Sequence, residues 1–334
     1  MPGDPEGALD RRTVDRLVRE ATGWSVDEAV RAETGTDAVL LLDMDGGPEA
    51  PDRAVLKYAT FVDPERFRAE STLLRIVGRE SDVPVPTVYA VGDDDGTPYL
   101  LLEYRAGETR EAGMESLPAA VRRAVAANAG RHLAAIHGLR TFGAHGTFAT
   151  DSDGGLRVVD PEEDWAARFD AIVAAHADRF HDHFADLADR VATAAAERPS
   201  ALTDATPVLV HDDYRLGNLL IDPEDDRSPV GTVLDWGAAM AAPAGFDLAK
   251  TEDYLCHHAP FDAPSRERVR TELESAYAAH RGELPERYGE RRGWYLLASR
   301  AAACAWFDLW YADVDEDGRD RIADRHRLAL ERLL

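Results

Sequence analysis

The chain has 334 residues, of which 45% are hydrophobic, enough to bury the core of one large domain or two smaller ones. Its formal net charge is −25, from 63 acidic against 38 basic residues. This sign argues against nucleic acid or an anionic membrane as a partner, because phosphate groups attract clustered Lys and Arg. The two cysteines, Cys256 and Cys304, exclude a disulfide scaffold for a chain of this size.

The hydropathy pattern predicts neither a signal peptide nor a membrane-spanning helix. The first residues, Met1–Glu6, lack the basic and apolar regions of a signal peptide. The longest apolar stretch, near Leu296–Phe307, is interrupted by Arg300, which predicts a buried helix rather than a membrane span. We therefore expect a soluble, cytoplasmic protein, and the sequence predicts no particular oligomeric state.

Lysine is almost absent from this acidic chain. Only Lys57 and Lys250 are lysine among the 38 basic residues. Acidic residues are spread along the whole sequence, which indicates a halophilic protein. Concentrated salt shortens the range over which their negative charges repel one another, so the fold tolerates them. An ordinary acidic protein from a GC-rich genome is the alternative interpretation.

The first 105 residues are predicted to form a small α+β unit. A short helix over residues 10–21 comes first, and a second helix, Pro64–Gly78, starts at Asp63-Pro64 and ends at Gly78. Turns rich in Gly and Asp join most of the strands as hairpins. The predicted strands are Val26–Ala32, Ala38–Met44, Ala54–Tyr58, Thr87–Val91 and Tyr99–Tyr104.

After Gly107 the pattern becomes mainly helical. The only strands predicted there are the two that flank residues 211–218 and the one before Asp235. We place a domain boundary near residue 105 and expect a site in the cleft between the two parts. The predicted helices are Pro118–Leu139, Glu163–Glu197, Ser265–Arg281, Arg291–Tyr311 and Arg319–Leu334.

The most informative segment is Val208–Ile221, a polar loop between two apolar strands. The loop carries His211, Asp213 and Asn218, and Asp235 follows at the end of the next apolar run. Phosphoryl transfer needs a carboxylate beside the attacking hydroxyl and oxygen ligands for magnesium. We assign Asp213 as the base, Asn218 and Asp235 as metal ligands, and His211 as a brace that donates to backbone carbonyls. A solvated turn is the alternative, but a turn does not require this combination.

A lysine and a glutamate form the second candidate pair. Lys57 lies on the predicted third strand, and an ammonium is a compact charge suited to phosphate oxygens. Glu70 on the following helix would hold that ammonium in position and keep it protonated. A strand-edge lysine and a solvent-facing glutamate are the alternative.

The chain resembles the aminoglycoside phosphotransferase and choline kinase family. The resemblance rests on H211-D-D-Y-R-L-G-N-L-L220 followed by V233-L-D-W236, and it extends to Asp247 and to the strand Pro98–Tyr104. It covers roughly residues 24–250.

This resemblance implies a bilobal, protein-kinase-like fold that moves the γ-phosphoryl group of ATP or GTP to a hydroxyl. Residues 1–105 would be the nucleotide-binding lobe, and residues 106–334 the catalytic and acceptor-binding lobe. Lys57 would hold the α- and β-phosphates. Backbone groups near Glu103 and Tyr104 would meet the nucleobase, and Asp247 would brace the catalytic loop.

Two departures from the family pattern stand out. Asp212 replaces the usual glycine after the histidine, and a second carboxylate beside Asp213 calls for a cation, for which Arg215 is the obvious candidate. The predicted phosphate loop, Glu33–Asp37, has Gly35 as its only glycine and carries two acids where backbone amides should cradle phosphate.

The acceptor class stays open at this stage. Aminoglycosides, amino alcohols such as choline, sugars and hydroxyacyl compounds are all compatible with the resemblance. Two other functions remain as alternatives. One is a nucleotide-binding regulatory protein without turnover, and the other is a metal-dependent hydrolase that uses His211, Asp212, Asp213 and Asp235 without nucleotide.

Overall fold

The fold is divided into two compact units. The computed structural model describes residues 9–32, 37–45, 47, 49–109, 114–151, 153–180, 182–197, 202–256, 263–312 and 314–334. The first unit comprises the described residues of Met1–Gly107 together with Phe148–Arg157 and Thr232–Gly237, and the second comprises the rest. A boundary near residue 105 would divide the chain into two continuous parts. In the structure, the first unit also includes two segments from later in the chain.

An antiparallel sheet forms the body of the first unit. Its strand order is β1-β2-β3-β5-β4, and every neighbouring pair is antiparallel. Buried residues of β2, β3 and β5 pack against the apolar face of α1. The elements are α1 (Arg11–Thr22), β1 (Val26–Arg31), β2 (Ala38–Met44), β3 (Arg53–Tyr58), α2 (Pro64–Glu80), β4 (Val88–Asp94) and β5 (Thr97–Glu103).

Local sequence signals explain the position of α2. The Asp63 carboxylate accepts hydrogen bonds from the N–H groups of Glu65 and Arg66, and Pro64 occupies the first helical position, as predicted. Gly78 does not end the helix, which continues to Glu80. A Cβ atom at Gly78 would lie 3.2 Å from Val85 Cγ2, so the glycine serves close packing rather than helix termination.

The remaining chain is mainly helical, which confirms the predicted α+β class with an antiparallel N-terminal sheet. A four-stranded sheet of order β7-β6-β11-β8 and the pair β9-β10 accompany the helices. The elements are α3 (Ala119–Leu139), β6 (His145–Thr150), β7 (Leu156–Glu162), α4 (Trp165–Ala177), α5 (Ala188–Ala196), β8 (Pro207–Val210), β9 (Leu219–Ile221), β10 (Val230–Val233), β11 (Met240–Pro243), α6 (Ala244–Leu255), α7 (Pro264–Arg281), α8 (Tyr288–Ala305), α9 (Phe307–Trp310) and α10 (Glu316–Leu333).

The structure differs from the predicted elements in several places. Helix α6 was not predicted, and the single helix expected over Arg291–Tyr311 is divided into α8 and α9. The single helix expected over Glu163–Glu197 is divided into α4, which ends at Ala177, and α5, which starts at Ala188. A 3₁₀ segment, Asp182–Leu187, lies between them, and its first residue has a left-handed φ of 48°. Strands β6, β7 and β11 were not predicted, since their residues lack a clear alternation of apolar and polar side chains. Within the described ranges, no helix has the length and apolar character needed to cross a bilayer.

Candidate active site

Three charged side chains meet at one end of the first unit. Lys57 lies on β3, and its Nζ is 2.8 Å from Glu70 Oε2 on α2 and 2.9 Å from Asp235 Oδ1. The Lys57 side chain is 13% exposed and that of Glu70 is 3% exposed, whereas that of Asp235 is 45% exposed. The predicted partners Lys57 and Glu70 are therefore in contact, and Asp235 presents an accessible carboxylate beside them.

The fold holds this group through Trp236. The Trp236 side chain is completely buried, its Nε1 donates to the Val233 carbonyl, and its backbone N–H donates to Glu70 Oε1. Asp235 has a φ of 58°, a left-handed conformation that aspartate tolerates at a modest cost. The buried indole thus fixes the turn that aims the Asp235 carboxylate at Lys57.

Electrostatics keep Lys57 charged. Burial alone would lower the pKa of Lys57, but Asp235 and Glu70 outweigh it and hold the pKa well above its usual range. Burial raises the pKa of Glu70, against the opposing effect of Lys57. The ammonium therefore stays protonated at any physiological pH, as a phosphate ligand must.

The predicted phosphate loop is described only at its end. Gly35 lies outside the described residues. Asp37 is buried, and its Oδ1 accepts hydrogen bonds from the N–H groups of Thr60, Phe61 and Val62 at 2.9, 2.9 and 3.3 Å. This acid therefore binds the backbone that follows β3, so its carboxylate is occupied within the fold.

The end of β5 carries the two residues assigned to the nucleobase. The Glu103 carboxylate accepts hydrogen bonds from Thr87 N and Oγ1 and pairs with Arg105 at 3.0 Å. Burial opposes ionisation of Glu103, but these hydrogen bonds and Arg105 lower its pKa. The guanidinium of Arg53 lies 3.8 Å from the centre of the Tyr104 ring. Both side chains are thus held by neighbours.

The predicted catalytic loop, residues 211–218 of the second unit, brings three predicted site residues together. Asn218 Nδ2 donates to Asp213 Oδ2 at 2.7 Å and to the Asp213 carbonyl at 2.9 Å. Arg215 Nε also donates to Asp213 Oδ2, at 3.3 Å. The short 3₁₀ turn Leu216–Asn218 before β9 sets the spacing between Asp213 and Asn218. Asp213 is thereby oriented by two donors from its own loop.

His211 is completely buried, so its ring lies inside the fold. Its Nδ1 accepts a hydrogen bond from the Asp213 N–H at 3.2 Å. Nδ1 is thus an acceptor in this bond, so the neutral ring carries its N–H at Nε2, and the expected donation to a backbone carbonyl stays a prediction for that atom. The bracing contact is made to Asp213 itself.

Asp247 anchors the start of the same loop. It lies near the start of α6, where its Oδ2 accepts from the His211 N–H at 2.9 Å and its Oδ1 from the Asp212 N–H at 3.0 Å. His137 Nε2 lies 3.1 Å from Oδ2. Burial would raise the pKa of Asp247, but His137 and the His211 N–H outweigh it and lower the pKa.

Replacing Asp247 by Asn should lower the free energy of unfolding by about 1–3 kcal/mol at neutral pH, because one buried N–H loses its acceptor. The folded pKa of Asp247 lies below the unfolded value of about 3.9. The carboxylate therefore stabilises the fold above that pH, and its contribution is lost in acid. Urea unfolding at several pH values should show the wild-type advantage shrinking on acidification. An advantage that grows in acid would contradict this prediction.

One contact of the loop was not foreseen. Lys250 Nζ on α6 lies 2.8 Å from Asp212 Oδ1, so Lys250 rather than Arg215 neutralises the additional acid. Arg215 pairs with Asp213 instead. The scarcity of lysine in this chain was the available signal, since Lys57 and Lys250 both occupy mainly buried ion pairs.

Aromatic side chains adjoin the catalytic loop. The Arg215 guanidinium lies 5.9 Å from the centre of the Trp310 ring, and Trp310 packs edge-on against Tyr254 at 5.8 Å. Trp310 is partly exposed, whereas Phe307 on the same short helix is buried. Trp310 and Arg215 lie over the buried Tyr254, and Arg215 joins this group to Asp213. We call these three residues the aromatic wall.

Comparison with known proteins places these features in a family. A family model described as the phosphotransferase enzyme family (APH) matches residues 29–294. The chain is also 26% identical over 219 residues to the probable acyl-CoA dehydrogenase IBR3 of Arabidopsis thaliana. That match covers 62% of this chain and 24% of the relative, so the chain spans about a quarter of that protein's length.

Solved structures share the fold at low sequence identity. The GDP complex of aminoglycoside 2'-phosphotransferase-IIIa superposes with a TM-score of 0.67 and 13% identity, covering 98% of this chain and all of that one. Aminoglycoside phosphotransferase APH(3'')-Id of Streptomyces rimosus, in complex with ADP and streptomycin, gives a TM-score of 0.55 and 19% identity. That match covers 88% of this chain and 99% of the other.

Proposed function

The chain belongs to the phosphotransferase enzyme family, and on this premise we propose that it is a small-molecule kinase that moves the γ-phosphoryl group of ATP or GTP to a hydroxyl. Two observations carry the proposal: the Asp213–Asn218 contact at 2.7 Å in the second unit, and the charged Lys57–Glu70 pair on β3 and α2 in the first. Catalysis of this kind depends mainly on positioning and charge neutralisation.

Asp213 is proposed to accept the proton of the acceptor hydroxyl and to orient that oxygen. Its Oδ2 is fixed by Asn218 and Arg215, so one carboxylate oxygen is oriented by the protein before the acceptor arrives. His211 and Asp247 would position this loop without touching substrate, because both side chains are completely buried. The burial of His211 also disfavours the alternative metal-dependent hydrolase, which would need that ring as a ligand.

Asn218 and Asp235 are proposed to bind magnesium. Asn218 uses its Nδ2 as a donor to Asp213, which leaves Oδ1 as the amide atom suited to a hard cation. Asp235 adds an accessible carboxylate. This donor set fits Mg²⁺, which, when bound, neutralises charge that develops on the phosphates.

The nucleotide is proposed to bind the first unit. Lys57 would contact the α- and β-phosphates, with Glu70 holding the ammonium in place. Backbone groups near Glu103 and Tyr104 would meet the base. One structural neighbour binds GDP and another binds ADP, so both ATP and GTP belong in the assays.

The acceptor is proposed to approach Asp213 along the aromatic wall. Hydroxyacyl compounds should be tested first as acceptors, because the curated relative is a probable acyl-CoA dehydrogenase. Aminoglycosides, amino alcohols and sugars complete the panel, since one neighbour binds streptomycin.

Replacing Trp310 by Ala should raise the KM of the acceptor about tenfold and leave the KM of the nucleotide unchanged, because an aromatic contact of about 1 kcal/mol or more is lost. Steady-state kinetics with each substrate varied in turn will measure the two constants. Trp24→Ala is the matched control, since Trp24 is a half-buried tryptophan that packs on Tyr89 in the first unit. An equal effect of both variants on the acceptor KM would argue against the aromatic wall.

The direct test uses γ-labelled ATP or GTP, magnesium and the acceptor panel, with Asp213→Asn as a negative control. The proposal predicts a labelled product from the wild-type protein alone. Nucleotide binding without transfer would support the regulatory alternative, and product release without nucleotide would support the hydrolase. Assays in dilute and in concentrated KCl test the further proposal of a halophilic, cytoplasmic enzyme.

A further inference from the structure

The catalytic loop contains two adjacent carboxylates, which is an electrostatic problem that the fold must solve. Asp212 and Asp213 follow one another, and the Asp212 side chain is only 16% exposed. Two neighbouring carboxylates repel each other most strongly where water is excluded. Each therefore needs its own cation.

The structure supplies one cation for each acid. Arg215 Nε lies 3.3 Å from Asp213 Oδ2, and Lys250 Nζ lies 2.8 Å from Asp212 Oδ1. The Lys250 side chain is 10% exposed, and its ammonium also lies 5.4 Å from the centre of the Tyr254 ring and 5.6 Å from that of Phe246. The pair Lys250–Asp212 is thus enclosed by aromatic rings that exclude water.

We propose that Lys250 is a positioning residue of the catalytic loop, whose ammonium neutralises Asp212 so that Asp213 stands beside a neutral ion pair. This inference rests on the proposed role of Asp213 as the base. It assigns to Lys250 and Asp212 a function in turnover, through the placement of Asp213, that is separate from nucleotide binding.

The position of Lys250 on α6 supports this role. Asp247 and Lys250 are three residues apart on that helix, and such residues lie on one helical face. Asp247 binds the backbone N–H groups of His211 and Asp212, while Lys250 binds the Asp212 side chain. One helix therefore fixes the start of the loop through both its backbone and its side chain.

The backbone of Asp212 adds a constraint of its own. Its φ of 63° lies in the left-handed region, which glycine adopts without steric cost and which other residues adopt only with compensating contacts. The Lys250 contact is such a compensation. Burial raises the pKa of Asp212 to about 6, against the opposing effect of Lys250, so removing Lys250 would destabilise the ionised side chain further.

The test is a double-mutant cycle of Lys250→Met, Asp212→Asn and the combined variant. Met and Asn keep approximately the shape of each side chain while removing its charge, and Asn tolerates a positive φ. Lys250→Met should lower kcat about tenfold or more with an unchanged KM for the nucleotide, because a displaced catalytic group costs turnover rather than binding. The combined variant should recover most of the lost kcat, because no unpaired charge remains.

Thermal unfolding of each variant separates this role from simple stabilisation. If Lys250→Met melts earlier but keeps the wild-type kcat, the pair is only structural and the inference is wrong. If the combined variant is as slow as Lys250→Met, neutralisation of Asp212 is not the function of Lys250.

Wild-type transfer is measured first in the same assay. A wild type that transfers no phosphoryl group would overturn the proposed function, and this inference with it, whereas normal wild-type transfer with an equally fast Lys250→Met overturns the inference alone.

Discussion

Asp213→Asn is expected to lower kcat by about 10²–10⁴-fold, the range over which a positioned general base contributes to a reaction. The variant keeps the size of the side chain and removes its ability to accept a proton. The affinity for nucleotide and magnesium should change little, because the base acts mainly in the transition state. Rapid-quench or steady-state transfer assays will give kcat, and titration calorimetry will give the nucleotide Kd.

Asp226→Asn is the matched control for that variant. Asp226 is an exposed aspartate thirteen positions further along the chain. Its replacement by Asn changes the net charge of the protein by the same amount as Asp213→Asn. The control should transfer phosphoryl groups at the wild-type rate. Wild-type turnover by Asp213→Asn would show that the role assigned to Asp213 is wrong.

Lys57→Ala should weaken nucleotide binding by about 10–100-fold, since a charge-assisted hydrogen bond to phosphate contributes about 1.5–3 kcal/mol. It should also reduce turnover, because the phosphates lose their anchor. Unlike Asp213→Asn, it should destabilise the fold by about 3–5 kcal/mol, since the buried Glu70 loses its cation. Calorimetric titration with ATP and urea unfolding measure these two effects separately.

A combined variant, Lys57→Met with Glu70→Gln, distinguishes phosphate binding from stability. It removes the buried ion pair as a whole, so most of the lost stability should return. Nucleotide affinity should stay low, because no ammonium is left to meet the phosphates. Recovery of nucleotide affinity along with stability would mean that Lys57 serves the fold alone. Lys250→Met offers a comparison at the other lysine, where nucleotide affinity should be unaffected.

Much of the fold followed from local patterns in the sequence. The Asp63-Pro64 start of α2 and the strands β2 and β3 were predicted because capping and alternation act over a few residues. The interruption between α4 and α5 was not predicted, since no periodic pattern marks the end of α4 at Ala177 or the 3₁₀ segment Asp182–Leu187 that follows.

In the candidate site, too, local features could be predicted from the sequence and long-range contacts could not. The spacing from His211 to Asn218 predicted one polar loop that carries both Asp213 and Asn218, and spacing of this kind is a local property. Their contact at 2.7 Å is a finding of the structure. The partner of Asp212 lies 38 residues away on α6. The scarcity of lysine marks Lys250 in the sequence, but only the folded chain shows that it pairs with Asp212. The contact between His211 Nδ1 and the Asp213 N–H was likewise not predicted, since it depends on the backbone conformation of the folded loop.

The most direct measurement is a crystal structure of the protein with magnesium and a non-hydrolysable ATP or GTP analogue. We predict that Lys57 Nζ lies within hydrogen-bond distance of the α- or β-phosphate. We also predict that Asn218 and Asp235 coordinate one magnesium ion at about 2.0–2.1 Å. A nucleotide bound with Lys57 turned away from its phosphates, or an ion that contacts neither Asn218 nor Asp235, would contradict the account.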